Sequence, residues 1–262
     1  MFFSKRLLKD FDFKMEILTL VAFVVGGATI FGAALGLIFK STSRAFNDGA
    51  MSVAAGLMLA AAVFGLIIPS LECGGRLGVL TTILGIFLGA GCVNLFDILL
   101  VRIYDKCGGV RDADGERIRR VILFVAAIAL HNLPEGMAAG VGFGGGDTRD
   151  GIFIATAIAL QNIPEGMTVT IAVNGTNMKP YKAFLIAALT GVIEIVATFI
   201  GYFAVKLSEI LLPFILAFAG GNMLYVIADE MIPETHSGNN GHSSAYLILA
   251  GFCLMLLLNA LL

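Results

Sequence analysis

The chain has 262 residues, of which 58% are hydrophobic and only 14% charged, and its mean hydropathy is +0.92. A soluble domain carries roughly a quarter of its residues as charges, so this composition excludes a soluble globular protein and points to an integral membrane protein set in a lipid bilayer. The formal net charge of −2 offers no basic surface to nucleic acid.

Residues 1–15 place Lys5, Arg6, Lys9 and Lys14 among Phe2, Phe3, Leu7, Leu8, Phe11 and Phe13. That mixture predicts a short interfacial helix. It is expected to stay in the mature protein, because the apolar run behind it is too long for a signal-peptide core and shows no small-residue cleavage site. Residues 16–262 read as one transmembrane domain. Apolar runs lie near 16–39, 49–70, 77–103, 118–143, 151–174, 181–205, 207–232 and 244–262, each close to the about 20 residues that cross a bilayer as a helix. They are continuous and do not alternate with period two, which excludes a transmembrane β-barrel. The fold class is therefore all-α integral membrane, with eight transmembrane helices.

In chain order, the first and third runs contain Gly32-x-x-x-Gly36 and Gly85-x-x-x-Gly89, which predict close helix crossings because Gly lets backbones approach in lipid. The second run carries AAGLML at 54–59, with Met58 as a thioether in the span. The loops at 103–118 and 174–181 are rich in Lys and Arg. Such loops stay cytoplasmic, so both termini are expected outside the cytoplasm, although the basic N-terminus pulls the other way. The fourth run holds HNLPEG at 131–136 and the fifth QNIPEG at 161–166. The sixth has a single charge, Glu194, open to two readings: a hydrogen bond between helices, or a functional carboxylate. The seventh carries AGGNML at 219–224, echoing the second, and ends DEMIPE. There Asp229, Glu230 and Glu234, with His236 behind them, are either a solvated helix end or an exit route for a cation. His242 follows in a polar loop. The four cysteines are scattered without a C-x-x-C pair and carry no information on redox compartment.

The duplicated hexapeptide is the most informative feature. AIALHNLPEGM (127–137) and AIALQNIPEGM (157–167) agree at nine of eleven positions and fall in consecutive, hence antiparallel, spans. Two such copies are related by a two-fold axis in the membrane plane, the inverted-repeat arrangement that builds a midplane site in transporters. His131 and Glu135 are four apart, as are Gln161 and Glu165, so each pair shares a helix face, with Asn132 and Asn162 about 100° around. Pro134 and Pro164 cannot donate to the carbonyls of Leu130 and Leu160, which leaves a bare acceptor one turn before each carboxylate. An acidic residue at a helix centre costs about 2.5–3.5 kcal/mol on the insertion scale. With no Lys or Arg nearby in the spans, the natural counter-charge is a divalent cation. Oxygen donors with one imidazole and no thiolate suit Zn²⁺, Fe²⁺, Mn²⁺ or Cd²⁺, whereas Cu(I) would want sulfur.

On HNLPEG, QNIPEG, Glu194 and GNMLYVIADEMIPETH in the seventh span, the chain resembles the ZIP (Zrt/Irt-like) divalent metal transporters, in particular their GufA-like bacterial branch. The resemblance covers spans two to eight. It implies a three-two-three bundle of eight helices in the cell membrane, often a homodimer, moving Zn²⁺ and related ions toward the cytoplasm with both termini outside. It makes His131, Glu135, Gln161 and Glu165, with Met58 adjoining, a primary metal site. Asn132, Asn162 and Glu194 would form a second site bridged by the same two glutamates. Many members have Asp where Asn162 stands and a His-rich loop where 105–120 has none. The metal is substrate, and no organic cofactor is expected. The competing class is an intramembrane metal-dependent hydrolase, which needs about three strong ligands, an open position and a positioned base. H-E-x-x-H is absent, and an inverted repeat gives access from both sides, which favours transport. No phosphate-cradling loop indicates direct drive by ATP.

Overall fold

A continuous apolar segment in lipid can satisfy its backbone only as a helix. The computed structural model describes residues 2–39, 43–106, 113–145, 148–176, 178–207, 209–236 and 241–261, and among these there is no strand. Eight helices are α1 (Phe2–Ile38), α2 (Arg44–Ala60, continuing through Ala61–Ile67 and Ile68–Cys73), α3 (Gly78–Lys106) and α4 (Ala113–Gly145), then α5 (Thr148–Asn174), α6 (Pro180–Leu207), α7 (Leu212–Val226, continuing through Ile227–Met231 and Ile232–His236) and α8 (Gly241–Leu261). Each of the eight is long and apolar enough to cross a membrane. The N-terminal stretch and the first span form one unbroken helix, α1. The side chains of residues 1–13, and the loop at 107–112, lie outside those described.

The prolines explain where the helices depart from the pattern of apolar runs. Pro213 occupies the first turn of α7, where its missing N–H costs nothing, so α7 begins at Leu212 and not at 207. Pro233 does not end it near 232. The preceding Ile227–Met231 widens into a π-helical turn, which relieves the clash of the proline ring with the turn before it, and the helix continues to His236. In α2 the same device, Ala61–Ile67, precedes Pro69. Pro134 and Pro164 are held inside α4 and α5.

Helices pack in a pattern that survives the exchange of α1 with α6, α2 with α7, α3 with α8 and α4 with α5. Thus α1 packs on α5 as α6 packs on α4, α3 on α7 as α8 on α2, and α2 on α5 as α7 on α4. Burial follows the same exchange: the most apolar windows of α2 and α7 are each 61% buried, those of α3 and α8 each 17%. Glycine crossings repeat it atom for atom. A Cβ on Gly166 would meet the Thr29 carbonyl, and one on Gly136 the Glu194 carbonyl. Gly36 crosses at Met167 as Gly201 does at Met137, and Gly89 at Phe218 as Gly251 does at Val53. The AAGLML and AGGNML echo therefore belongs to the architecture, and both G-x-x-x-G pairs lie in crossings.

Two groups emerge from the packing: α1, α4, α5 and α6 in one, α2, α3, α7 and α8 in the other. Within the second, the Ser70 hydroxyl lies 2.7 Å from that of Thr82 and donates to the Pro213 carbonyl at 2.6 Å, tying α2, α3 and α7 together.

Candidate metal centre

The antiparallel pair α4 and α5 brings the two hexapeptides face to face, and each motif's amide reaches the other's glutamate. Gln161 Nε2 donates to Glu135 Oε1 at 2.6 Å. Asn132, in the orientation that matches donors to acceptors, donates to Glu165 Oε1 and to the Ile128 carbonyl, both at 2.7 Å. His131 turns outward from the pair and meets α7, its Nε2 2.5 Å from Glu230 Oε2. His131, Glu135, Glu165, Glu230 and Glu234 line one small cavity of about 80 Å³.

A second cluster lies where α5 crosses α1 and α6. Glu194 is fully buried, and both of its oxygens are held. Asn162 Nδ2 donates to Oε1 at 2.5 Å and to the Val25 carbonyl at 3.1 Å, and the Thr29 hydroxyl donates to Oε2 at 2.9 Å. Under the helix exchange Thr29 is the counterpart of Glu194, so the two-fold relation carries a hydroxyl on one side and a carboxylate on the other.

Every expected donor therefore lies at one of two adjoining clusters, apart from Met58, Asp229 and His236. Met58 is 1% exposed within the apolar core. The thioethers on the cavity wall are Met51, two turns earlier on α2, and Met231 of α7. Asp229 is exposed and accepts from the Tyr225 hydroxyl at 3.2 Å, while Asn94 of α3 donates to that hydroxyl at 2.6 Å. His236 is exposed at the end of α7, with Nδ1 2.9 Å from the Ile232 carbonyl, and does not line the cavity.

Sequence reasoning missed Thr29, Met51 and the partners that join Asp229 in a third polar seam along α3 and α7, namely Asn94, Asp97 and Tyr225. Asp97 was legible, as a carboxylate inside an otherwise apolar span. Its Oδ1 is buried without a partner.

Among the described residues no three His, Cys, Asp or Glu side chains form a closed cage for a metal ion. Glu135, Glu165, Glu194 and Glu230 rest instead on a neutral amide, a hydroxyl or the imidazole. These interactions leave four acceptor positions buried and unpartnered: Glu135 Oε2, Gln161 Oε1, Asn162 Oδ1 and His131 Nδ1. An unsatisfied buried polar atom costs about 1–3 kcal/mol. Several of them in one place, beside carboxylates and far from any Lys or Arg, suit a ligand that brings positive charge and takes lone pairs.

Comparison with known proteins gives the same direction. A family profile described as "ZIP Zinc transporter" matches residues 106–259. The chain is 35% identical to the zinc transporter GufA of Myxococcus xanthus, over 90% of this chain and 95% of that protein. It is 35% identical to the zinc transporter ZIPB of Bordetella bronchiseptica, over 90% and 80%. It is 33% identical to the zinc transporter ZIP11 of Xenopus tropicalis, over 89% and 93%.

Proposed function

Because the chain belongs to the ZIP zinc transporter family, and so moves divalent metal cations across a membrane, we propose that zinc is its principal cargo and that it passes through the two clusters on α4, α5 and α6. The observation that carries the site is the set of four unpartnered acceptors, Glu135 Oε2, Gln161 Oε1, Asn162 Oδ1 and His131 Nδ1, at the meeting of the two hexapeptides. The relatives named above are zinc transporters and lend no support to the hydrolase reading.

In this reading His131, Glu135, Gln161 and Glu165 receive the ion first. It replaces the hydrogen bonds that hold these side chains: the Gln161 amide rotates to offer its oxygen to the ion in place of its N–H to Glu135, and Glu230 releases His131. Asn132, Asn162 and Glu194 form the second site, with Glu135 and Glu165 shared. The thioethers beside the primary site are Met51 and Met231, whereas Met58, expected there, packs in the apolar core. Asp229, Glu230, Glu234 and His236 mark the way out, and Asp97 joins them from α3. Passage runs toward the cytoplasm, with both termini outside and residues 1–15 carrying α1 out to the interface. The loop cations at 103–118 and 174–181 support that orientation. The helix exchange described above supports a three-two-three bundle, with α4 and α5 as its central pair. The exposed apolar faces of α3 and α8, including Phe87, Leu249 and Leu257, offer the surface for a homodimer.

The test is zinc flux into proteoliposomes. Glu135→Ala, Glu165→Ala and His131→Ala should each lower it by at least the order of tenfold that loss of a metal-site partner brings. Correctly folded variants with wild-type flux would remove the site from these residues.

A further inference from the structure

A cleft of about 240 Å³ opens between the start of α4, the end of α5 and the first half of α6. Its walls are apolar: Val121, Val125 and Ala129 of α4 face Ile186 and Ile193 of α6. The hydroxyls in the wall, Thr176 and Thr190, are turned back on the carbonyls of Val173 and Ala187 at 2.7 and 2.8 Å. No lining side chain is left asking for a hydrogen-bond partner, and no carboxylate lines the cleft. From Ile118 to Ala129 the α4 wall rises about 16 Å at 1.5 Å per residue, close to half of the about 30 Å hydrocarbon core. The cleft thus runs from one membrane surface to the midplane and stops beside the Asn132 and Glu194 clusters.

Cations stand only at its surface end. Lys182 lies one turn before Ile186 on the same face of α6, and Lys179 follows Met178, which lines the mouth. Both lysines are exposed. We propose that this cleft seats one acyl chain of an anionic phospholipid, whose phosphate is held by Lys179 and Lys182. Depth and charge select this occupant. An apolar slot one leaflet deep fits a chain of that leaflet, and basic residues at the mouth of a pocket between membrane helices attract anionic headgroups. A helix of a second copy would need an apolar stripe across both leaflets.

The chain contains no tryptophan, so Ile122→Trp at the rim of the cleft provides a single fluorescent reporter. The protein is reconstituted in phosphatidylcholine with a small, equal mole fraction of either brominated phosphatidylglycerol or brominated phosphatidylcholine. Two cations near the surface predict stronger quenching by the anionic lipid, on the order of tenfold at low mole fraction. Adding Lys179→Gln and Lys182→Gln should abolish the preference, with circular dichroism and elution profile unchanged. Adding Ala126→Phe, which fills the cleft, should abolish it with both lysines in place. Equal quenching by the two lipids in the Ile122→Trp protein overturns the proposal. So does a preference that survives the lysine substitutions. Weak quenching by both lipids, with cross-linking between chains at Ile122→Cys, would assign the cleft to a second copy and overturn it as well.

Discussion

Thr29 holds one oxygen of Glu194 and Asn162 the other, which makes these two residues the most informative to change. Thr29→Val keeps shape and removes the donor. A buried carboxylate then lacks a partner, and the detergent-solubilised protein should lose about 1–3 kcal/mol of unfolding free energy. Thr29→Ser should recover most of it, and an unchanged melting curve for the valine variant would show that the hydroxyl holds nothing. Asn162→Asp acts differently. It sets a second carboxylate against Glu194 and removes the amide donor, so the zinc-free protein should melt at a lower temperature. Two divalent ions bring +4 against −3 from Glu135, Glu165 and Glu194, and the added aspartate balances that charge. Zinc should therefore raise the melting temperature of Asn162→Asp more than that of the wild type. An equal rise would mean that the amide ligates as well as the acid. Glu194 was visible in the sequence as a lone charge among apolar residues. Thr29 was not, because a threonine in a span costs little and announces nothing until the fold puts it against a carboxylate.

At the level of the helix, glycine matters by place and not by number. Gly140 lies where a Cβ would meet the Thr198 carbonyl and the Tyr202 amide, whereas Gly27 has nothing within 4 Å. Gly140→Ala should force α4 and α6 apart and cost about 1–3 kcal/mol as an overpacked contact does, while Gly27→Ala should leave stability unchanged or slightly raised. Thermal unfolding of the two variants checks this, and equal losses would remove close packing as the reason for Gly140. Helix number and kind were legible throughout, because eight apolar runs of membrane length leave few alternatives. The boundaries of α7 were not. Pro233 reads as a stop, and only the π-helical turn ahead of it, which has no signature in residue type, lets the chain continue to His236.

Across the whole molecule, His131 with Glu230 bridges the two helix groups, as does the cavity shared by Met51 of α2 and Phe124 of α4. If metal passes as the groups shift against one another, joining Met51→Cys to Phe124→Cys with a short thiol cross-linker should stop zinc flux. Joining Ser70→Cys to Thr82→Cys, within one group, should leave it intact. Flux that survives the first bridge would argue for a path with no relative motion. The duplicated hexapeptide made the pairing of α4 with α5 legible from sequence, but further partners of its side chains lie on α1, α6 and α7. Distances of that kind arise only once the chain is packed. The helix exchange has a last consequence. A body related to itself by a two-fold axis in the membrane plane has no intrinsic up or down, so any vectorial preference must come from places where the halves disagree. At the centre those places are His131 against Gln161, Glu194 against Thr29, and the carboxylates Glu230 and Glu234 of α7 against residues 61–70 of α2, which include no acid. Any polarity of the interior thus rests on those two mismatched pairs together with the acidic end of α7, and exchanging the members of the pairs alone would reverse only part of it.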